Sequence, residues 1–204
     1  MRDSRSRLLH QSQYDLRVAT EFSQIREQVD HYFVDLDVPC PYGKAYTAVF
    51  HQALFAPLSS HAMEIFLASG YRRNGDCLYS MACKECSECL SIRLFPDDFI
   101  PNRSQKRNWR KNCDVETEMR PLGGIRHENV ELCDSFLRER YPTDNSGEKY
   151  YREFFANKIT TTYEVDFIVD GKLVGTSIID VGENYVNAVY FYFSPEQAHR
   201  FRNL

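Results

Sequence analysis

The chain has 204 residues, 43% of them hydrophobic and 14% aromatic, and a formal net charge of −4. That composition excludes a disordered polar chain, and the acidic balance excludes nucleic-acid binding through bulk charge, so any polyanion site must be a local patch. No apolar run approaches the length of a membrane span, Met1 to His10 lacks the apolar stretch of a secretory signal, and an odd count of seven cysteines reads as cytoplasmic reduced thiols or metal ligands, not as a disulfide framework.

Three regions are expected: a polar extension over residues 1–21, an N-terminal cysteine-rich domain over 22–99 and a C-terminal domain over 100–204. The extension is weakly patterned and reads as flexible, with some helical tendency. Phe22, Ile25 and Val29 fall at helical spacing, which predicts a helix over Glu21 to Tyr32. Phe33 to Val38 alternates as a short strand, and Pro39-Cys40-Pro41-Tyr42-Gly43 makes a rigid turn. Ala45 to Ala56 is apolar enough to predict a helix ended by Pro57. Ser59 or Ser60 caps the next helix, with Met63, Phe66 and Leu67 inward and Gly70 as its stop. Tyr71 to Gly75 reads as a turn carrying two adjacent arginines, Cys77 to Tyr79 as a strand, and Ile92 to Phe95 as another short strand.

Between those strands lies Cys83-x-x-Cys86-x-x-Cys89. The spacing admits a zinc site, with Cys40 as the fourth ligand, or the opening of an iron–sulfur run, although the proline that follows such runs is missing. Reduced cysteines holding no metal are the plain alternative. A basic segment follows. In a helix starting after Pro101-Asn102, Arg103, Lys106, Arg107 and Arg110 fall at i, i+3, i+4 and i+7 and share one face, with Lys111 beside them. No Asp or Glu lies between residues 99 and 113 to pair with them, which points to polyanion contact over a solvated helix face. Trp109 lies off the stripe and is expected to anchor the helix to the body.

Downstream, Asp114 to Met119 alternates as a strand, Glu128 to Arg140 and Glu148 to Asn157 read as helices, and Thr162 to Val169 as a strand with Tyr163, Val165, Phe167 and Val169 on one face. Asp170-Gly171 is a hairpin turn, Leu173 to Ile179 the return strand, and Tyr185 to Phe193 a long strand expected to be buried on both faces. Asp180, at a strand end, reads as a turn former or a base. The class is therefore α+β. The order strand, helix, helix, three-strand meander resembles the first part of a GNAT acyltransferase fold, incomplete at its C-terminus. Ser194-Pro195-Glu196 starts a helix that is barely made, which reads as a shortened chain whose last strand would lack partners for Val189, Phe191 and Phe193. The histidines show no ligand or triad spacing, and no phosphate-binding glycine loop is found.

Taken jointly, Cys40-Pro-Tyr-Gly43, Gly70-Tyr-Arg-Arg-Asn-Gly75, Tyr79-x-Met-x-Cys83-x-x-Cys86-x-x-Cys89-x-x-Ile92-Arg93-Leu94, Pro101-Asn-Arg-Ser-Gln-Lys-Arg107 and Asn187-Ala-Val-Tyr-Phe-Tyr-Phe-Ser-Pro195 resemble the aminoacyl-tRNA–protein transferases. The bacterial branch, which moves leucine from leucyl-tRNA to proteins beginning with Asp or Glu, is the nearer likeness. The resemblance implies an aminoacyltransferase that uses aminoacyl-tRNA as co-substrate and feeds N-degron degradation in the cytoplasm, without a membrane. It implies tRNA contact by Arg103, Lys106, Arg107, Arg110 and Lys111 and substrate contact by Arg72, Arg73, Tyr190 and Tyr192, and it keeps an iron–sulfur cluster open beside the zinc and metal-free readings of Cys40, Cys83, Cys86 and Cys89. Arg forks match the acceptor carboxylate. No general base is assigned. The competing readings are a non-catalytic metal-knuckle RNA-binding module and an inactive shortened relative.

Overall fold

Alternation and turn chemistry sort the strands into two four-stranded antiparallel sheets, seen in a computed structural model that describes residues 4–141 and 145–201. The class is α+β. The chain divides into two compact units, Met1–Phe99 and Ile100–Leu204.

In the first unit the strand order is β1 (Val34–Pro39), β2 (Thr47–Leu54), β4 (Cys77–Met81), β3 (Arg72–Asn74). The expected helix over Ala45 to Ala56 is strand β2. It pairs with β1 on one side and β4 on the other, and its buried Ala48, Val49 and Ala53 serve a central strand. An apolar run of this length fits helix or strand, and pairing on both edges decides. Tyr71 to Gly75 likewise contains strand β3, and Gly75 turns into β4 at φ +55. Ile92 to Phe95 forms no strand.

Helix α1 (Ser4–Val29) contains most of the helix expected over Glu21 to Tyr32 and carries it back through the extension, which is helical and not flexible chain. Its ties are long-range and partly polar, which is why local patterning missed them. Tyr14 and Arg17 donate to the buried Glu64 of α2 (Ser60–Ala68) at 3.0 and 2.7 Å. Val18 is buried, and Phe22 packs edge-on against Phe66. Ser59 caps α2 by accepting the Ala62 N–H at 3.1 Å, and Gly70 leaves it at φ +92.

The second unit runs α3 (Arg103–Lys111), β5 (Glu116–Pro121), α4 (His127–Arg140), α5 (Gly147–Tyr150) with a π-helical turn at Tyr151–Phe155, then β6 (Thr162–Val169), β7 (Lys172–Val181), β8 (Val186–Phe193) and α6 (Ala198–Phe201). Its sheet order is β5-β6-β7-β8. Asp170 and Gly171, at φ 49 and 71, make the two-residue turn between β6 and β7. Gly147 sits so close to α4 that a Cβ would lie 2.6 Å from the Val130 carbonyl. Under the helices sits the core of Cys133, Phe136, Leu137, Tyr151, Phe155, Ile178 and Tyr192. Burial pushes the Cys133 thiol up to about 12.

The more buried face of β6 is its polar one, not the face that carries Tyr163, Val165 and Phe167. Thr162, Glu164 and Asp166 are buried, while Tyr163, Val165 and Phe167 are half-buried. The register explains it. Asp166 pairs with Thr176 and Thr176 with Tyr192 in one cross-strand row, Arg120 of β5 faces Glu164, and Thr162, Asp180 and Asn187 form a third row. Asp166 accepts from Asn129 at 2.8 Å, Thr176 at 2.9 Å, Arg126 at 3.3 Å and Arg120. Arg120 also reaches Glu164 at 3.0 Å. Tyr151 donates to Glu164 at 2.5 Å, so the proton shared with Tyr192 comes from Tyr192. Asp180 is neither turn former nor exposed base: it is fully buried and accepts from Thr162 at 2.7 Å and Asn187 at 3.0 Å.

Strand β8 is an edge strand in which only Tyr192 is buried, so burial on both faces is not seen. Its aromatics are nonetheless partnered. Phe191 packs on Phe167, and Phe193 packs on Phe136.

Removing Asp166 leaves the fully buried Asn129 and Thr176 without their acceptor, while Arg120 keeps Glu164 and Arg126 keeps Glu128. Asp166→Ala is expected to destabilise the fold by about 1–3 kcal/mol, read as a fall in the urea midpoint. A loss under about 1 kcal/mol contradicts the network's role.

Burial raises the Tyr151, Tyr190 and Tyr192 phenols above the ordinary tyrosine range, with neighbouring tyrosines and Glu164 adding to it at Tyr151. A phenol raised in the folded state stabilises fully below its unfolded pKa of about 10 and loses that contribution as pH rises beyond it. Ultraviolet titration should therefore show these three ionising only with alkaline unfolding. Reversible titration of every tyrosine near pH 10 contradicts this.

Candidate functional site

Helix α3 forms where its sequence starts it. The Asn102 side chain accepts the Gln105 N–H at 2.9 Å and the Gln105 side chain accepts the Asn102 N–H at 2.8 Å, a reciprocal capping box. The other end is tied down within the same unit. Asn112 donates to the Arg200 carbonyl at 3.3 Å, Lys111 donates to the His199 carbonyl at 2.5 Å, and Arg200 grips Asp114 through two bonds of 2.8 and 2.9 Å. Lys111 therefore serves the helix end, which sets it apart from the other four cations.

Those four remain at the surface. Arg103, Lys106, Arg107 and Arg110 are exposed, and among the described residues no carboxylate pairs with them. Arg103, Ser104, Arg107 and Arg110 line one open concavity of about 520 Å³. Three guanidiniums on successive turns of a pinned helix present fixed forks to anionic oxygens, with no internal partner to displace. Trp109 does not anchor the helix: it is 67% exposed.

The remaining candidates are less united. Arg72 and Arg73 are consecutive on a strand, so their side chains leave opposite faces. Arg73 is 5% exposed, beside Leu78 in the register, whereas Arg72 donates to Ser91 at 3.3 Å. They do not form one carboxylate clamp. Tyr190 and Tyr192 share the helix-facing side of β8. Tyr192 is fully buried on Tyr151 and does not reach solvent, while the half-buried Tyr190 packs against Phe136, Tyr150 and Phe155.

The cysteines do not assemble the expected metal centre. Cys40, Cys83, Cys86 and Cys89 are half-buried free thiols, and among the described residues no group of three or more His, Cys, Asp or Glu side chains could hold a metal ion. After β4 the chain is irregular, and in extended chain residues three apart separate by up to about 10 Å, so one-turn spacing does not gather thiols on a face. Cys83 instead accepts the Val49 N–H at 3.4 Å. Lys44, in the turn after Cys40, pairs with Glu88 at 3.0 Å and is raised above the ordinary lysine range by that contact, with smaller contributions from Cys86 and Cys40. The residues present do not fit a zinc or iron–sulfur cluster.

Sequence patterning missed the network in which the buried Asn129, Tyr151, Glu164 and Asp166 meet the half-buried Arg120 and the exposed Arg126. Its one local signal was the polar register of β6, Thr162, Glu164 and Asp166 at alternate positions, which apolar alternation on the other face outweighed.

Residues 38–107 match the family model described as arginine-tRNA-protein transferase, N terminus, and residues 128–202 match the model described as arginine-tRNA-protein transferase, C terminus. The chain is 32% identical over 141 residues to the aspartate/glutamate leucyltransferase of Shewanella putrefaciens, covering 67% of this chain and 59% of that protein. It is 30% identical over 139 residues to the enzyme of that name from Marinobacter nauticus, covering 65% and 57%, and 27% identical over 151 residues to that from Pseudomonas fluorescens, covering 71% and 62%. The chain thus spans less than two thirds of the length of these curated relatives. With both family models matched in order along most of its length, the chain belongs to the aminoacyl-tRNA–protein transferase family and aligns with its bacterial aspartate/glutamate leucyltransferases.

Proposed function

We propose that this chain transfers leucine from leucyl-tRNA to the N-terminal Asp or Glu of acceptor proteins, marking them for N-degron degradation in the cytoplasm. The observation that carries the reading is the pinned helix α3, whose unpaired Arg103, Arg107 and Arg110 line one concavity in a chain of net charge −4. A local cationic patch on an acidic protein is what a polyanionic co-substrate requires. The names of the relatives support leucine as the group moved and Asp or Glu as the acceptor. Among the described residues, no helix is long and apolar enough to cross a membrane.

The chemistry asks little of the protein. The acceptor α-amine, with a pKa of about 7.7–8.0, is partly neutral near pH 7. Its nitrogen attacks the ester carbonyl, the amide forms as the ester C–O bond breaks, and the ribose oxygen leaves with the proton that the amine gives up. Holding the two reactants together and stabilising the oxyanion supply most of the acceleration. The second unit supports a GNAT-like acyl-transfer scaffold through its order of strand, two helices and three antiparallel strands. To Tyr190, half-buried on the last strand, this reading gives the role of lining the aminoacyl group.

Replacing Arg103, Arg107 and Arg110 together by Glu is expected to weaken leucyl-tRNA binding by more than about tenfold, and to flatten the log–log salt dependence by about 2–3 units. Filter binding across a salt series reads both. Unchanged affinity and slope would remove α3 from the co-substrate site.

Incubated with leucyl-tRNA and a peptide beginning with Asp or Glu, the chain should add one leucine to the peptide N-terminus, seen by mass. An Ala-initiated peptide should stay unmodified. Transfer of arginine from arginyl-tRNA in place of leucine would overturn the assignment of the donor, and tRNA binding without any transfer would favour a binding module.

A further inference from the structure

We propose that Trp109 is a stacking platform for an unpaired nucleobase of the RNA whose phosphates lie on the α3 stripe. The proposal rests on the reading of α3 as the RNA-contacting helix and names the feature of the RNA that it recognises: a single-stranded end.

Trp109 is the chain's one tryptophan, and it is 67% exposed. Tryptophans are highly buried on average, so an indole left in water on a well-ordered helix is unusual. Among the described residues no aromatic ring, guanidinium or carboxylate is set against it. Its position on α3 follows from the helical repeat. At 100° per residue, one passes from Ser104 to Arg107, Arg103, Arg110 and Lys106, and then to Trp109. The first four line the concavity, and Lys106 joins the stripe to the indole, three residues before it and on the same side of the helix. Trp109 lies about 100° round the helix from Arg110, the nearest of the arginines, so an anionic strand held by the arginines reaches this flat apolar surface by crossing Lys106.

That combination, a positive track with an aromatic beside it, is how proteins hold single-stranded nucleic acid. The cations take the backbone, and the ring takes a base through its π-face with little regard to sequence. A duplex keeps its bases stacked inside and offers the ring nothing. The unpaired end that carries the amino acid in an aminoacyl-tRNA has bases free to stack. The helix also suits the task mechanically. Its capping box and its ties to His199 and Arg200 hold the ring on a fixed element, which lowers the ordering cost of binding. A flat acceptor for a base explains an exposed indole that neither the core nor an ion pair uses.

Because the chain has one tryptophan, its fluorescence reports on this ring alone. The test titrates the 204-residue chain with two probes of equal phosphate count: an unstructured single-stranded RNA and a blunt RNA hairpin. The single strand is expected to quench the tryptophan and the hairpin to leave it unchanged. Trp109→Ala should weaken single-strand binding by about 5- to 100-fold while leaving hairpin binding within about twofold, and Trp109→Phe should recover most of the loss. Single-strand binding undisturbed in Trp109→Ala, or an equal loss for both probes, would overturn the proposal while leaving the arginine stripe in place. If neither probe binds the unmodified chain, the reading of α3 itself fails, and the stacking role with it.

Discussion

Two carboxylates buried beneath α4 and the π-helical turn constrain the second unit more than any apolar contact. Glu164 and Asp166 are 1% and 2% exposed, and ions so placed are tolerable only when opposite charge and hydrogen bonds surround them. Arg120 serves both, and Arg126, Asn129 and Thr176 complete the shell of Asp166. A slip of one residue in β6 would turn both acids to the other face and take both carboxylates from Arg120 and the acceptor from the buried Asn129 and Thr176. The network therefore fixes the register of β5, β6 and β7, and through Thr176 and Tyr151 it extends to Tyr192 on β8. Apolar alternation alone specifies β6 in the opposite sense.

That fixed sheet positions the cationic helix. Strand β5 follows α3 closely, and Asp114 between them is held by Arg200 from beyond β8, while Lys111 and Asn112 bond to the carbonyls of His199 and Arg200. The C-terminal end of α3 is thus tied at both neighbours of the sheet. Its outward face is left with three arginines and a lysine that find no carboxylate among the described residues. A stripe that is locally uncompensated and mechanically fixed fits an anionic partner of defined shape better than a solvated surface. Under the proposed function that partner is the aminoacyl-tRNA.

What was legible in the sequence was local. The cap and stripe of α3, the Ser59 cap, the Asp170-Gly171 turn and the strand–helix–helix–meander order all depend on near neighbours, and each is present in the fold. The failures share a cause, which is partners distant in the chain. Strand β2 was read as a helix because its apolar run gains strand character only between β1 and β4. The first part of helix α1 shows only a helical tendency in its sequence because Glu64, 47 and 50 positions away, supplies its polar ties. That the polar face of β6 is the buried one is not legible locally, because Arg120, Arg126 and Asn129 come from other elements. The cysteine spacing carried a metal expectation that irregular backbone does not fulfil, and two arginines adjacent in sequence proved to face opposite ways on a strand.

The central claim is that an acidic protein meets its RNA co-substrate on one short helix. Photo-crosslinking of the chain to leucyl-tRNA, followed by mass-spectrometric localisation of the nucleotide adducts, tests it most directly. The account predicts adducts on the peptide covering residues 102–112, with Trp109 among the modified positions. Adducts confined to other segments, with that peptide unmodified at saturating tRNA, would contradict it.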